Sequence, residues 1–215
     1  MTYLNLMNNV LRRLREDEVS SVSATTYTKM VSDFINDAKK LVEESNDWSA
    51  LRETIVVSTT ASDNSYSLTG SGDNVKVMSV INDTQNCFME YQTKDWFNDS
   101  LYIANAVEGA PKYYTYNGLD SSGDTEVLVG PTPDGVYSLR FDVVKRQADL
   151  SFNTDTLLVP AMPVVHLAVA LLARERGETG GTSTAEYFSI ADKFLSDAIA
   201  IDAAKHPEEM VFRTI

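Results

Sequence analysis

The sequence predicts an α+β protein: an antiparallel helical bundle formed by N- and C-terminal helices, with a β-rich insertion, an antiparallel sheet or sandwich, between them. Three observations predict it. The two ends of the chain carry apolar residues at alternating steps of three and four, the period of a helix with one buried face. The middle is made of short β-branched runs separated by Gly, Pro, Asn and Asp. The helices can bury their stripes only against one another, so the two ends must meet. Residues 1–50 and 159–205 are thus expected as the helical domain, 51–158 as the β insertion and 206–215 as a C-terminal tail.

The first helix is expected from Tyr3 to Glu18, capped by Thr2, with Leu4, Met7, Leu11 and Leu14 as its stripe. Arg12, Arg13 and Arg15 suit its C-terminal half, where the helix dipole favours positive charge. A short polar link, residues 19–23, leads into a long helix from Thr25 to Trp48, about 35 Å at 1.5 Å per residue. Its seam reads Tyr27, Val31, Phe34, Ala38, Leu41 and Trp48, and its other face carries Lys29, Asp33, Asp37, Lys40 and Glu44.

Strands are expected at Thr54–Thr60, Tyr66–Leu68, Val75–Ile81, Cys87–Tyr91, Lys112–Tyr116, Glu126–Val129 and Val136–Lys145. In the third, Val75, Val77, Ser79 and Ile81 share a face; in the last, Tyr137, Leu139, Phe141 and Val143 form the buried face. Asn117-Gly118, Ser122-Gly123 and Pro133-Asp134-Gly135 read as turns. A short helix, Thr93 to Ile103, carries Trp96, Phe97 and Leu101. Pro160 and Pro163 open the next helix, whose run Val164–Ala173 is apolar nearly all round and therefore buried on several sides. The last helix, capped by Ser183 or Thr184 and stopped by Pro207, has the seam Tyr187, Ala191, Phe194, Ala198 and Ile201.

Composition narrows the function. With 31 acidic and 18 basic side chains the net charge is −13, which argues against a grip on nucleic acid or anionic lipid and suits a surface that nucleic acid slides past. The single Cys87 rules out an internal disulfide. The N-terminus lacks the pattern of a signal peptide, and the apolar run is shorter than the roughly 20 residues of a membrane span.

No pattern assembles a reaction site, so no catalytic residue, metal ligand or cofactor is expected. Two histidines and one cysteine, far apart, do not make a metal set; His166 reads as a core or interface residue and His206 as exposed. Gly70-Ser71-Gly72 and the stretch from Gly177 to Ser183 lack the remaining parts of a phosphate loop. The acidic runs Glu16-Asp17-Glu18 and Glu43-Glu44-Asp47 read as wet faces or helix ends rather than a hydrolase pair. Tyr113, Tyr114 and Tyr116 have only Lys112 beside them and read as sheet packing rather than a base-stacking platform. The tail, with Glu208-Glu209 followed by Met210-Val211-Phe212, reads equally as a disordered terminus or as a docking peptide.

Two segments carry a family resemblance. One is Tyr3-Leu4-Asn5-Leu6-Met7-Asn8-Asn9-Val10-Leu11-Arg12-Arg13-Leu14-Arg15-Glu16, followed by the long helix with Phe34-Ile35-Asn36-Asp37-Ala38 and ending at Asp47-Trp48. The other is Pro160 to Gly177, with Ala173-Arg174-Glu175-Arg176-Gly177-Glu178, then Ala198-Ile199 and Asp202. With a β insertion between the helix pairs, the chain resembles the head-to-tail adaptor (connector) proteins of short-tailed bacteriophages, the group of the tail tubular A and tail accessory factor proteins.

That resemblance implies a structural virion protein assembled in the host cytoplasm. It implies a commonly dodecameric homo-oligomeric ring under the portal protein, extending the channel for the genome and joining a tail nozzle or other tail protein. DNA would pass without specific binding, and no membrane is involved. It also implies that the C-terminal segment, Glu208, Glu209, Met210, Val211, Phe212, Arg213, Thr214 and Ile215, reaches the portal, while the helices form the ring wall and the β insertion faces tail proteins. The residues alone leave open a tail-associated cell-wall hydrolase and a generic protein-binding module.

Overall fold

In the computed structural model, which describes residues 1–103, 108–177 and 182–205, the chain divides into two compact units, Met1–Leu51 with Gln147–Ile215, and Arg52–Arg146. The class is α+β, as the residue patterns predict: helices at both ends and two four-stranded sheets between them.

In the helical unit, α1 (Tyr3–Arg13) buries Tyr3, Leu6, Met7, Val10 and Leu11. It ends at Arg13 rather than Glu18, because the chain turns back at once: Arg15 takes a positive φ of 59° and the Glu16 amide donates to the Leu11 carbonyl. Thr2 stands at the N-cap position without capping through its side chain. Helix α2 (Thr26–Glu44) begins in a capping box in which Thr25 and Thr28 satisfy each other's backbone amides. It stops at Glu44, short of Trp48; the indole of Trp48 tucks back and donates to the Val42 carbonyl at 2.7 Å.

The buried face of α2 is rotated from the expected seam. It consists of Thr28, Val31, Ile35, Ala38, Lys39, Val42 and Glu43, whereas Leu41 is 49% exposed. The physical reason is a polar pair hidden in the core. Lys39 Nζ lies 3.3 Å from the Glu43 carboxylate and 2.6 Å from the Gln147 carbonyl, with both side chains fully buried. A pattern built from apolar residues alone skips both positions and so misplaces the helix phase.

Helix α4 (Ala161–Glu175) is the hub of this unit, packing against α1, α2 and α5 (Thr182–Ala203). Nine of its residues are buried, among them the whole run Ala168–Ala173, as its all-round apolar surface requires. His166 stacks on Phe194 and the Arg174 guanidinium lies over Phe188, so α4 and α5 run in opposite directions.

The segment between Gln147 and Pro160 has no strand or helix, and its polar groups are spent on the helices. Asn36 accepts from the Leu150 amide and donates to its carbonyl; Asn153 accepts from the Val22 amide; Tyr3 donates its amide to Asp155. Asp155 in turn accepts from the amides of Ser151 and Phe152, which hold its carboxyl below the ordinary value.

The second unit is a sandwich. One sheet has the order β1 (Arg52–Ser58), β8 (Ser138–Lys145), β3 (Val75–Asn82), β4 (Cys87–Phe88). The other has the order β2 (Ser65–Ser67), β7 (Thr125–Gly130), β6 (Tyr113–Leu119), β5 (Glu90–Tyr91), with β5 parallel to β6. Tyr66, Tyr114, Val127 and Val129 from one sheet meet Val80, Leu139, Phe141 and Val143 from the other in a single core. The inward face of β8 is thus the expected one. In β3 the alternation breaks: a bulge between Val77 and Ser79 turns Val80 inward in place of Ser79 and Ile81. Asn117-Gly118 is not a turn but lies within β6, where Gly118, at φ 108°, sits at a second bulge. Between β5 and β6, α3 (Lys94–Phe97), capped by Thr93, runs into a π-helical turn, Asn98–Ile103.

Candidate functional site

His166 is half-buried against Phe194, at 4.4 Å between ring centroids; burial, and then the positive charge of Arg13, hold its pKa below the ordinary histidine value. Among the described residues no group of three or more His, Cys, Asp or Glu is placed to hold a metal ion. Cys87 is half-buried on β4.

The acidic runs are dispersed. Glu16 pairs with Arg176 at 2.8 Å and Glu18 with Arg12 at 2.6 Å. Glu43, expected on a wet face, is instead fully buried with Lys39; the cation four residues earlier is what allows it inside.

The Gly70-Ser71-Gly72 loop is closed to anions. Its Gly70 and Gly72 amides both donate to the Asp124 carboxylate at 2.8 Å, so the donors a phosphate would need already serve an acid. Asp120, beside it, accepts from the Ser67 hydroxyl and from the Asp124, Ser122 and Gly123 amides, and its carboxyl is held below the ordinary value. Tyr114 packs edge-on to Phe141 in the sandwich core, and Tyr113, on the other face of β6, lies against Trp96. Tyr91 and Tyr116 complete the cluster from its exposed side.

A cleft of about 420 Å³ opens on the β1–β8–β3 sheet beside Arg52, Thr54, Met78 and Asp142. Of its two carboxylates, Asp142 accepts from the hydroxyls of Thr54 at 2.9 Å and Ser79 at 3.0 Å, a row across three strands, and Glu53 pairs with Lys145 at 3.3 Å.

The residues carrying the family resemblance form joints in the helical unit. Arg176 pairs with Glu16, bonds the Tyr27 hydroxyl and lies over the Tyr27 ring at 5.3 Å, fastening the end of α4 to α2 and to the turn after α1. Asp202 accepts from the Ser49 amide at 2.9 Å and hydroxyl at 2.6 Å, and from Lys205 at 3.0 Å. Burial raises the Asp202 pKa, but the Ser49 and Lys205 donors lower it more, leaving it below the ordinary value. Ser49 is invisible in the sequence as a partner, because a serine in a polar stretch carries no signal for a carboxylate 153 residues away.

The exposed surfaces of the helices are of two kinds. On α2, Lys29, Asp33, Asp37 and Glu44 face solvent, while Lys40 pairs with Asp149. On α5, Tyr187, Ile190 and Ile201 are exposed, although Tyr187 and Ile201 were expected in its buried seam; Ala191 and Asp202 are its buried positions among the described side chains. The expected portal-docking residues, Glu208 to Ile215, lie outside the described residues, as do His206 and Pro207.

Within the helical unit, ion pairs and hydrogen bonds tie residues far apart in the chain. The family model of the SU10 adaptor protein matches residues 1–208, and the chain belongs to that family of bacteriophage head–tail adaptors. No curated protein matches the chain. Among the described residues no helix is long and apolar enough to cross a membrane.

Proposed function

We propose that copies of this chain close into a ring below the portal, extend the channel through which DNA leaves the capsid, and attach the tail. Membership in the adaptor family across residues 1–208 carries this reading. The role is structural, without catalysis or cofactor, and its partners are the portal protein, a tail nozzle or other tail protein, and further copies of itself. A dodecamer assembled in the host cytoplasm and carried into the virion is the expected form.

Two properties of the chain favour it. A closed ring needs a heterologous contact, one surface meeting a different one on the next copy, and the exposed apolar residues of α5 suit one half of it. A net charge of −13 suits a conduit that must not hold DNA. Within this reading the helices form the ring wall, the β unit meets the tail, and Glu208, Glu209, Met210, Val211, Phe212, Arg213, Thr214 and Ile215 dock on the portal.

Sedimentation of the purified chain, alone and with its portal protein, tests the proposal. A ring-sized species alone or on the portal supports it; a monomer that leaves portal sedimentation unchanged refutes it.

A further inference from the structure

Three of the four sheet edges in the β unit are blunted and one is not. β4, β2 and β5 have two, three and two residues. Where β3 runs on past β4 it bulges, and β6 beyond β5 also bulges. Shortness and bulges are the devices that stop an edge from pairing with another chain. β1 has neither. It is seven residues long, in unbroken register with β8, without proline or lysine, and uncharged from Thr54 to Ser58.

The phase of β1 is fixed by its end. The Thr59 amide donates to the Tyr137 carbonyl, and on the other side of β8 the Asp83 amide donates to Ser138. Alternate residues of β1, namely Glu53, Ile55 and Val57, therefore bond to β8, and Arg52, Thr54, Val56 and Ser58 direct N–H and C=O to the open side. Among the described residues those outward groups have no hydrogen-bond partner. The side chains of the same four residues share the outer face; Val56 is 59% exposed, and Arg52 is exposed with no ion-pair partner among the described residues.

We propose that β1 accepts an added strand from another protein: an extended segment with an apolar side chain opposite Val56 and a carboxylate opposite Arg52, four residues apart. Backbone hydrogen bonds to Thr54, Val56 and Ser58 would supply affinity, and the two side chains would supply selectivity. A second β1 is the poorer occupant: in an antiparallel pair Arg52 would stand opposite Ser58 or Thr60 and gain no counterion, and Glu53, on the other face, is already held by Lys145 at 3.3 Å, whereas a carboxylate in a foreign strand would pair with Arg52. Strand addition at β1 would proceed whether or not copies of the chain close into a ring.

The test is amide hydrogen exchange of the full chain with a synthetic peptide of alternating threonine and valine, carrying one glutamate four positions from its central valine. Near ten times its dissociation constant the peptide should slow exchange at Thr54, Val56 and Ser58, the amides that β8 leaves open, about tenfold. Val56→Pro removes an amide that β8 does not use, as edge strands tolerate, and should abolish the protection. Arg52→Glu leaves the backbone intact and should weaken the glutamate peptide while favouring its lysine counterpart. No protection, or protection unaffected by both variants, overturns the proposal. Protection already present without peptide would mean that the chain itself occupies the edge, and also overturns it.

Discussion

Asp202 near the end of α5 holds Ser49 at the end of the N-terminal helical segment by two bonds, one to its amide at 2.9 Å and one to its hydroxyl at 2.6 Å. The carboxylate is 6% exposed, so these donors replace its water. This joint ties the last helix to the turn Ser49–Leu51, residues far apart in the chain. Asp202→Ala should therefore destabilise the helical unit by about 1.5–3 kcal/mol, measured by urea denaturation, with Ser49→Ala costing less because the backbone amide bond remains.

The same joint has a pH dependence. Because the folded-state pKa of Asp202 lies below its unfolded value, its contribution is fully present above the unfolded carboxylate pKa of about 4 and is lost as pH falls through the lowered folded value. Thermal midpoints measured from pH 6 down to pH 2 should fall less steeply for Asp202→Asn than for the wild type below about pH 4. Parallel curves would show that the Asp202 pKa is not depressed.

Lys39 and Glu43 make the opposite kind of contribution. Removing one member of a buried pair leaves a charge without its counterion, so Lys39→Met should cost about 3–5 kcal/mol. The double variant Lys39→Met with Glu43→Leu should recover most of that loss, leaving about 1 kcal/mol for the Gln147 carbonyl that Lys39 no longer satisfies. Chemical denaturation of the three variants in one buffer gives the comparison.

Arg176 combines an ion pair with a stacked ring, and the two separate experimentally. Arg176→Lys keeps the charge near Glu16 but loses the planar contact with Tyr27, and should cost about 1 kcal/mol. That loss should persist in high salt, where an exposed ion pair would be screened. A loss that vanishes at high salt would assign the joint to charge alone.

The parts of the fold legible in the sequence are those with a strong period. Thr25 as a cap, the all-apolar run of α4, and the alternation of Leu139, Phe141 and Val143 each state their surroundings directly. What was illegible is polar. Lys39 and Glu43 look like a solvated pair until the Gln147 carbonyl appears beside them, and the phase of α2 follows from them. The bulge at Met78 inverts a face of β3 without any glycine or proline to announce it. Asn36 and Asn153 give no hint in sequence that they fasten the irregular stretch after Gln147 to the helices. The family was legible because its signature is the order of helices and their short motifs; a reaction site, by contrast, had no motif to read.

Deleting Met210 to Ile215 separates folding from docking. The described helical core ends at Ala203, so the thermal midpoint should shift by less than about 2 °C. Binding to the portal protein, followed by pull-down with purified components, should fall by at least about tenfold, the equivalent of 1.4 kcal/mol. Unchanged binding would remove the tail from the portal contact.

The most direct measurement is native mass spectrometry of the chain mixed with its assembled portal. The expected result is a discrete portal complex carrying one full ring of this chain, twelve copies on a twelvefold portal, with no intermediate stoichiometry dominating. A portal mass unchanged by the chain at micromolar concentration would contradict it.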